Sequence, residues 1–187
     1  MAFGREVAVM LAEKAYEIME GKKYYMSPTN LFHYNASDNL SDAIKKRLDR
    51  SKYKLTEDVC LIPEGYDLKL YPDVAVFASD FKYSSSGAIT TNPIFVAEII
   101  SPSSRRKDTA VKPKIYEQIG VKEYWLVDPY GKCVTAYMYN ESSHALEYTD
   151  TYQKLSAEDL ETMPDEPQDM RLDFLDTEIN INEIFEE

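Results

Sequence analysis

Two acidic residues stand where the sequence otherwise predicts buried strands. Glu98 interrupts the most apolar segment of the chain, residues 94–100, and burying an unpaired carboxylate costs several kcal/mol. It therefore needs a partner, a proton or a metal ion, unless it reaches solvent or pairs with an arginine at the end of its strand. Asp73 opens a second apolar run directly after Pro72, where it could equally be a turn residue. Each residue alone has an ordinary structural explanation, and only the pair suggests chemistry.

The two carboxylates together predict a metal site. The strands that carry Asp73 and Glu98 follow each other through one loop, so they can lie side by side with both side chains at the same end. Two carboxylates placed in this way would bind a hard divalent cation through oxygen. Magnesium would suit the pair, with water and a substrate phosphate in the remaining positions of its shell.

A basic segment follows the second carboxylate and supplies a candidate lysine. Asp108, Lys112 and Tyr116 are spaced four residues apart, so they share one face of a helix. Lys112 could simply pair with Asp108 on the surface, or it could stand beside the metal and stabilise charge on a phosphoryl group. Pro113 follows directly, so the helix either kinks there or begins there with the proline in its first turn. In the second case Lys114 becomes a rival for the same role.

Three further side chains could serve the site or an interface. His33, one of two histidines, could face the metal from the second predicted helix as a base or a substrate contact. A structural hydrogen bond explains it equally well. Tyr124 and Trp125 are typical of core or interface aromatics rather than of a platform for bases. Their strand, with an exposed Glu123, could line a contact in a homodimer.

Helices and strands alternate along the chain in an order that predicts how these residues are positioned. Helical spacing predicts helices over residues 5–20, 30–50 and 105–119. Short extended runs predict strands within residues 22–30, 59–62, 71–77, 94–100, 123–129, 133–139 and 146–152. Continuous apolar runs are typical of strands buried on both faces, and the order favours an α/β sheet flanked by helices. We expect one α/β domain over residues 1–156 and an acidic C-terminal extension, 157–187, packed on the domain or trailing it.

The charge of the chain is unevenly distributed. Its 187 residues include 33 acidic and 21 basic side chains, for a net charge of −12, which argues at first sight against nucleic acid. Residues 1–140, however, contain 19 basic and 18 acidic side chains, whereas residues 141–187 contain 2 and 15. A basic cluster formed by Arg105, Arg106 and Lys107 with Lys112 and Lys114 could meet phosphates beside the proposed site. DNA therefore remains a possible partner.

Other classes of protein are excluded by simple features. Two isolated cysteines, Cys60 and Cys133, argue against a disulfide framework and against a cysteine-ligated zinc site, and they fit a reducing compartment. No apolar run approaches the ~20 residues of a membrane span, and the N-terminal segment lacks the apolar region of a signal peptide. We therefore expect a cytoplasmic protein without a membrane partner.

Several of these motifs resemble those of a known nuclease family. They are Pro72-Asp73-Val74, the run from Val96 to Ser104, Asp108-x-x-x-Lys112-x-x-x-Tyr116, and the run from Gly120 to Pro129. This series is similar to the Uma-type family of putative restriction endonucleases, a branch of the PD-(D/E)XK nuclease superfamily. The resemblance implies a restriction-endonuclease-like core, a mixed central β-sheet flanked by helices, within residues 1–156. It also implies a DNA endonuclease that hydrolyses phosphodiester bonds with Mg²⁺ or Mn²⁺.

The same resemblance assigns roles to individual residues. It implies that Asp73, Glu98 and the backbone carbonyl of Ile99 hold the metal and that Lys112 completes the catalytic set. The standard motif places the lysine two residues after the glutamate, where this chain has Ile100; the family resembles a variant with the lysine on the following helix. A non-catalytic interaction module with a degraded active site is the alternative function, and a metal-dependent hydrolase of smaller phosphoesters is a third.

Overall fold

A six-stranded sheet with helices on both faces forms the core of the chain. The computed structural model describes residues 15–185. In chain order the elements are β1 (Tyr16–Met19), β2 (Lys22–Tyr25), α1 (Leu31–Arg47), β3 (Tyr53–Glu57), β4 (Val74–Ala78), β5 (Phe95–Ile99), α2 (Arg105–Ala110), α3 (Lys112–Gln118), β6 (Glu123–Asp128), β7 (Cys133–Asn140), β8 (Ala145–Gln153), α4 (Ala157–Thr162), β9 (Asp169–Leu172), β10 (Thr177–Asn180) and α5 (Asn182–Phe185). The order of strands in the sheet is β3-β4-β5-β6-β7-β8.

The sheet is mixed, as the resemblance to the nuclease family implies. Strands β5 and β6 are parallel, and every other neighbouring pair in this sheet is antiparallel. A parallel pair needs a crossover connection, and here α2 and α3 supply it. This arrangement places the carboxyl end of β5, the start of α2 and the amino end of β4 at the same end of the sheet.

Each face of the sheet is covered by a separate apolar cluster. On one face, α1 and the C-terminal segment pack against alternate strand residues; buried members include Leu40, Ile44, Val76, Phe95, Trp125 and Ile179. On the other face, α3, β1 and the loops around residues 59–90 pack against the remaining positions; buried members include Met19, Leu70, Phe77, Val96, Tyr116 and Tyr124. The alternation places neighbouring residues of one strand on opposite faces, which decides where each buried polar side chain points.

The N-terminal helix predicted over residues 5–20 is wrong in its described part. Residues 16–19 form β1, which pairs antiparallel with β2, and residues 5–14 lie outside the described residues. Glu20 and Gly21 both have positive φ, 51° and 69°, which is the backbone of a two-residue hairpin turn. The tight turn at Gly21 therefore links two strands and does not end a helix.

Two further predictions differ from the structure. Residues 59–62 form no strand, and Leu61 makes only isolated bridges to Leu70 and Ile89. Strand β3, in turn, was not predicted.

The helix predicted over 105–119 is divided at Val111 into α2 and α3, with Pro113 in the first turn of α3. Proline is tolerated there because the first turn has no intrahelical use for its missing N–H. Helix α1 confirms the second prediction with shorter bounds, and the Asn30 side chain caps it.

The C-terminal segment contributes to the core on the α1 face. Strands β9 and β10 pair antiparallel, and the buried side chains there include Met170, Leu172, Ile181 and Ile184. Among residues 15–185, no helix has both the length and the apolar character needed to cross a bilayer. The division of the chain at residue 156 stays a prediction.

Candidate active site

A polar cavity of about 370 Å³ opens at the end of the sheet where β4 begins and β5 ends. Its walls come from the β1–β2 hairpin, the segment that leads into α1, the start of α1, the loop after β5, and helices α2 and α3. The β1–β2 hairpin, this end of the sheet and the crossover helices α2 and α3 thus surround one cavity. The predicted site residues Asp73, Glu98, Lys112, Asp108 and His33 all line it.

Glu98 lies at the floor of the cavity with both carboxylate oxygens engaged. Lys112 Nζ donates to its Oε2 at 2.6 Å, and the Tyr116 hydroxyl donates to its Oε1 at 2.5 Å. All three side chains are almost completely buried. Burial raises the pKa of Glu98, Lys112 lowers it, and the nearby carboxylates of Asp73 and Asp108 raise it again, so that it lies well above its usual range. The carboxyl of Glu98 therefore favours its protonated form more than an exposed glutamate does.

Asp73 is brought next to Glu98 by the pairing of their strands. In the antiparallel register Val74 faces Ala97, and one further step along both strands puts Asp73 opposite Glu98. Asp73 Oδ2 accepts a hydrogen bond from the Ile99 amide at 2.6 Å. His33 Nε2, in the first turn of α1, lies 3.3 Å from the same oxygen.

The imidazole of His33 faces Asp73 with one nitrogen, and its other nitrogen has no partner within residues 15–185. Burial lowers the pKa of His33, but its hydrogen bond to Asp73 and the charge of that carboxylate raise it above the usual value. Burial likewise raises the pKa of Asp73, whereas His33, Lys112 and the Ile99 amide together bring it below normal. Nδ1 of His33 is buried and has no hydrogen-bond partner among the described residues. The ring thus offers one nitrogen for a further contact.

Lys112 occupies the centre of the carboxylates even though α3 begins there. Its Nζ contacts Glu98 Oε2 at 2.6 Å, Glu17 Oε1 at 3.1 Å and Asp108 Oδ1 at 3.7 Å. Burial lowers the pKa of Lys112, but these carboxylates together raise it above that of a free lysine, so its ammonium group stays charged. Lys114, the rival candidate, is exposed and does not line the cavity.

Glu17 is the member of this cluster that the sequence did not predict. It is 1% exposed and accepts hydrogen bonds from Lys107 Nζ at 2.5 Å and from the Tyr71 amide at 3.2 Å, in addition to its contact with Lys112. Burial raises the pKa of Glu17, but Lys112 and Lys107 together lower it below normal. A strand assignment for residues 16–19 would have pointed to it, because Glu17 then shares the inward face with Met19.

The charges that line the cavity favour a cation over a bare phosphate. Five carboxylates, Glu17, Asp58, Asp73, Glu98 and Asp108, face three lysines, Lys23, Lys107 and Lys112. Asp108 Oδ1 is also buried without a hydrogen bond among the described residues. Within residues 15–185 no group of three or more His, Cys, Asp or Glu side chains is placed to hold a metal. The carboxylates of Asp73 and Glu98 are oxygen donors of the kind that Mg²⁺ takes, one or two at a time together with several waters.

Other predicted contacts fall outside the cavity. Arg105 pairs with Asp128, with Nη2 and Oδ2 2.7 Å apart, and neither residue lines the cavity. Tyr124 and Trp125 are completely buried, so they belong to the core and not to an interface. Glu123 is buried as well, not exposed as predicted.

Comparisons with known proteins agree with the fold of the chain. The family model described as "Uma2: Putative restriction endonuclease" matches residues 6–166. A solved structure described as a putative nuclease belonging to DUF820 from Anabaena variabilis ATCC 29413 is similar, with a TM-score of 0.70 and 17% sequence identity, over 92% of this chain and 90% of that one. The likeness confirms the predicted mixed α/β fold. A search of curated proteins finds no match.

Proposed function

We propose that this chain, which belongs to the Uma2 family of putative restriction endonucleases, hydrolyses phosphodiester bonds in DNA with the help of a divalent cation. The observation that carries the proposal is the position of Glu98. A buried carboxylate stands on the floor of an open cavity, beside a second carboxylate and in contact with a buried lysine. Structural ion pairs rarely combine burial, like charges and an open cavity, whereas active sites commonly do.

The donor atoms of the cavity match the preference of a hard cation. Asp73 and Glu98 would hold Mg²⁺ or Mn²⁺ through oxygen, together with the carbonyl of Ile99, which also lines the cavity. When bound, such an ion polarises a phosphoryl group and lowers the pKa of a water. The cation would also offset the excess of carboxylates, so that a phosphate could approach.

The protein's own residues have separate tasks. Tyr116 fixes the orientation of Glu98 through its hydroxyl. Lys112 presents a permanent positive charge inside a buried site, where it would stabilise the negative charge that develops on the phosphate. His33 contacts the same oxygen of Asp73 as the Ile99 amide and would help to hold that carboxylate in position.

Basic residues in and near the cavity support DNA as the substrate. Lys23 lines the cavity. Arg105, which pairs with Asp128, and Arg106 are exposed at the start of α2, outside the cavity. Such residues can contact the phosphates on either side of the scissile bond, because the duplex backbone extends beyond the cavity. A small phosphoester, unlike a DNA duplex, would need no contact outside the cavity.

A non-catalytic interaction module is the second candidate, and one observation favours it. Lys112 and Tyr116 already satisfy both oxygens of Glu98, so the carboxylate is neutralised without a cation. In that case the cluster would only stabilise the fold. Titration with Mg²⁺ and Mn²⁺ separates the two functions: the nuclease binds the ion through Asp73 and Glu98, and the module does not.

Cleavage of DNA tests the proposal directly. Purified protein is incubated with supercoiled plasmid and linear duplex in Mg²⁺ or Mn²⁺, and we expect nicked or linear products. Glu98→Gln should slow cleavage by at least about 10- to 100-fold, the loss found even for residues that only support a metal ligand, because it removes a charge that would hold the cation. Glu123→Gln is the matched control, a buried glutamate on the neighbouring strand that lines no part of the cavity. Absence of products with either ion, or full activity in Glu98→Gln, would contradict the proposal.

A further inference from the structure

We infer that Glu17 is a positioning residue of this site: it fixes the ammonium groups of Lys112 and Lys107 against the wall formed by the β1–β2 hairpin. The inference rests on the proposed function and deepens it. It assigns a role to the hairpin as the element that sets the position of the catalytic lysine.

The geometry of Glu17 is that of a hub between two lysines. Its Oε2 accepts Lys107 Nζ at 2.5 Å, and its Oε1 lies 3.1 Å from Lys112 Nζ while it also accepts the Tyr71 amide. Both carboxylate oxygens are therefore directed by three donors from three different parts of the chain. A carboxylate with both oxygens engaged has one orientation, and so have the groups that it contacts.

A purely structural role for Glu17 is a poor explanation of its burial. The hairpin is already anchored by Met19, which is completely buried on the same face of β1. An apolar side chain at position 17 would extend that contact without the desolvation cost of a charge. The glutamate instead lies where its charge meets two lysines that line the cavity.

The contact between Glu17 and Lys112 affects whether Lys112 or a cation binds Glu98. Lys112 contacts Glu98 Oε2 at 2.6 Å, the same carboxylate that would hold a cation. With Glu17 present, Lys112 keeps an anionic partner when a cation engages Glu98. Without it, the remaining partner within 4 Å among the described residues is Asp108, at 3.7 Å, so Lys112 would remain bound to Glu98 and exclude the ion.

The test compares Glu17→Gln with two matched variants. Glu17→Gln removes the charge and keeps the size of the side chain, Glu17→Asp keeps the charge, and Met19→Leu perturbs the apolar anchor of the same strand. We expect Glu17→Gln to lower kcat by about 10- to 100-fold, the range found for residues that orient a metal site, with KM for DNA within about twofold. Glu17→Asp should recover part of kcat, and Met19→Leu should change neither kcat nor KM. Affinity for Mn²⁺, measured by calorimetry, should fall in Glu17→Gln alone.

A second measurement does not depend on activity. The Nζ resonance of a buried, ion-paired lysine ammonium is protected from exchange with water, and Lys112→Met assigns it in ¹⁵N-labelled protein. We expect the signal to shift in Glu17→Gln, because Lys112 then keeps Glu98 and Asp108 and loses one of its three carboxylate contacts, and to stay in place in Met19→Leu. An unshifted signal together with an unchanged kcat in Glu17→Gln would overturn the inference. If the wild type does not cleave DNA, the proposed function fails, and the ammonium signal still decides whether Glu17 positions Lys112.

Discussion

Two buried glutamates on neighbouring strands of this sheet have opposite surroundings. Glu98, near the carboxyl end of β5, faces the cavity and is paired with Lys112 and Tyr116. Glu123, at the amino end of β6, points to the other face, where its Oε2 accepts the Phe174 amide at 3.3 Å. Both are about 1% exposed, so burial alone does not distinguish them.

The difference lies in the charges around each carboxylate. Glu98 belongs to a group of carboxylates that contacts Lys112 and Lys107. Glu123 instead has backbone amides and apolar side chains around it, together with the like charge of Asp173. Burial raises the pKa of Glu123 to about 8, and Asp173 adds to the rise while the Phe174 amide lowers it. Its Oε1 is buried without a hydrogen bond among the described residues. Burial raises the pKa of both carboxyls; Glu98 lies in a network with lysines and other carboxylates, and Glu123, whose pKa is about 8, is a neutral acid at neutral pH.

Removal of the central lysine should have the largest effect on stability. Lys112→Met leaves Glu17, Glu98 and Asp108 buried without their shared cation, and the loss of one partner from a buried ion pair costs about 3–5 kcal/mol. Urea denaturation at neutral pH measures the change in the free energy of unfolding. Lys114→Met, two residues away and exposed, should change it by less than about 0.5 kcal/mol. Equal effects of the two variants would show that the cluster is not a coupled network.

The comparison also shows what the sequence could predict. Asp73, Glu98 and Lys112 stand in or beside strongly apolar runs and a helical spacing of four, so local pattern was enough to select them. Glu17 was missed because its partners Tyr71 and Lys107 lie 54 and 90 residues away, and because its strand was assigned to a helix. The environment of Glu123 could not be foreseen either, since it depends on the C-terminal segment packing over β6.

The neutral state of Glu123 predicts a pH dependence of stability. Its pKa is about 8 in the folded protein and about 4.5 when unfolded, so the folded state binds more protons between these values. Stability should therefore fall as pH rises from about 4.5 to 8. Glu123→Gln should remove the contribution of Glu123 to this slope and raise the free energy of unfolding at pH 7 by up to roughly 3 kcal/mol; Glu98, whose pKa is also raised, leaves a remaining slope of the same sign. Thermal unfolding across this pH range measures the change, with the exposed Glu178→Gln as the control; a slope as steep in Glu123→Gln as in the wild type would contradict the assignment.

The smallest effect concerns the ion pair that joins α1 to the C-terminal segment. Arg47 Nη2 and Nη1 contact Glu183 Oε1 and Oε2 at 2.7 and 3.0 Å, and both side chains are partly exposed. A bidentate pair with this exposure should contribute about 1 kcal/mol and weaken at high salt. Arg47→Met should therefore lower the unfolding free energy by that amount in low salt and by less in 1 M NaCl.

Hydrogen exchange shows where the Arg47 pair acts. The amides of β9 and β10 should exchange faster in Arg47→Met, because α5 and the hairpin lose one attachment to α1, while the amides of β5 stay protected. Arg50→Met, a change at an exposed arginine just beyond the same helix, should leave both regions unchanged. If β9 and β10 keep their protection in Arg47→Met, apolar packing alone holds the segment that covers Glu123. Since that cover is what keeps Glu123 dry and neutral, the pH slope should then be the same in Arg47→Met as in the wild type.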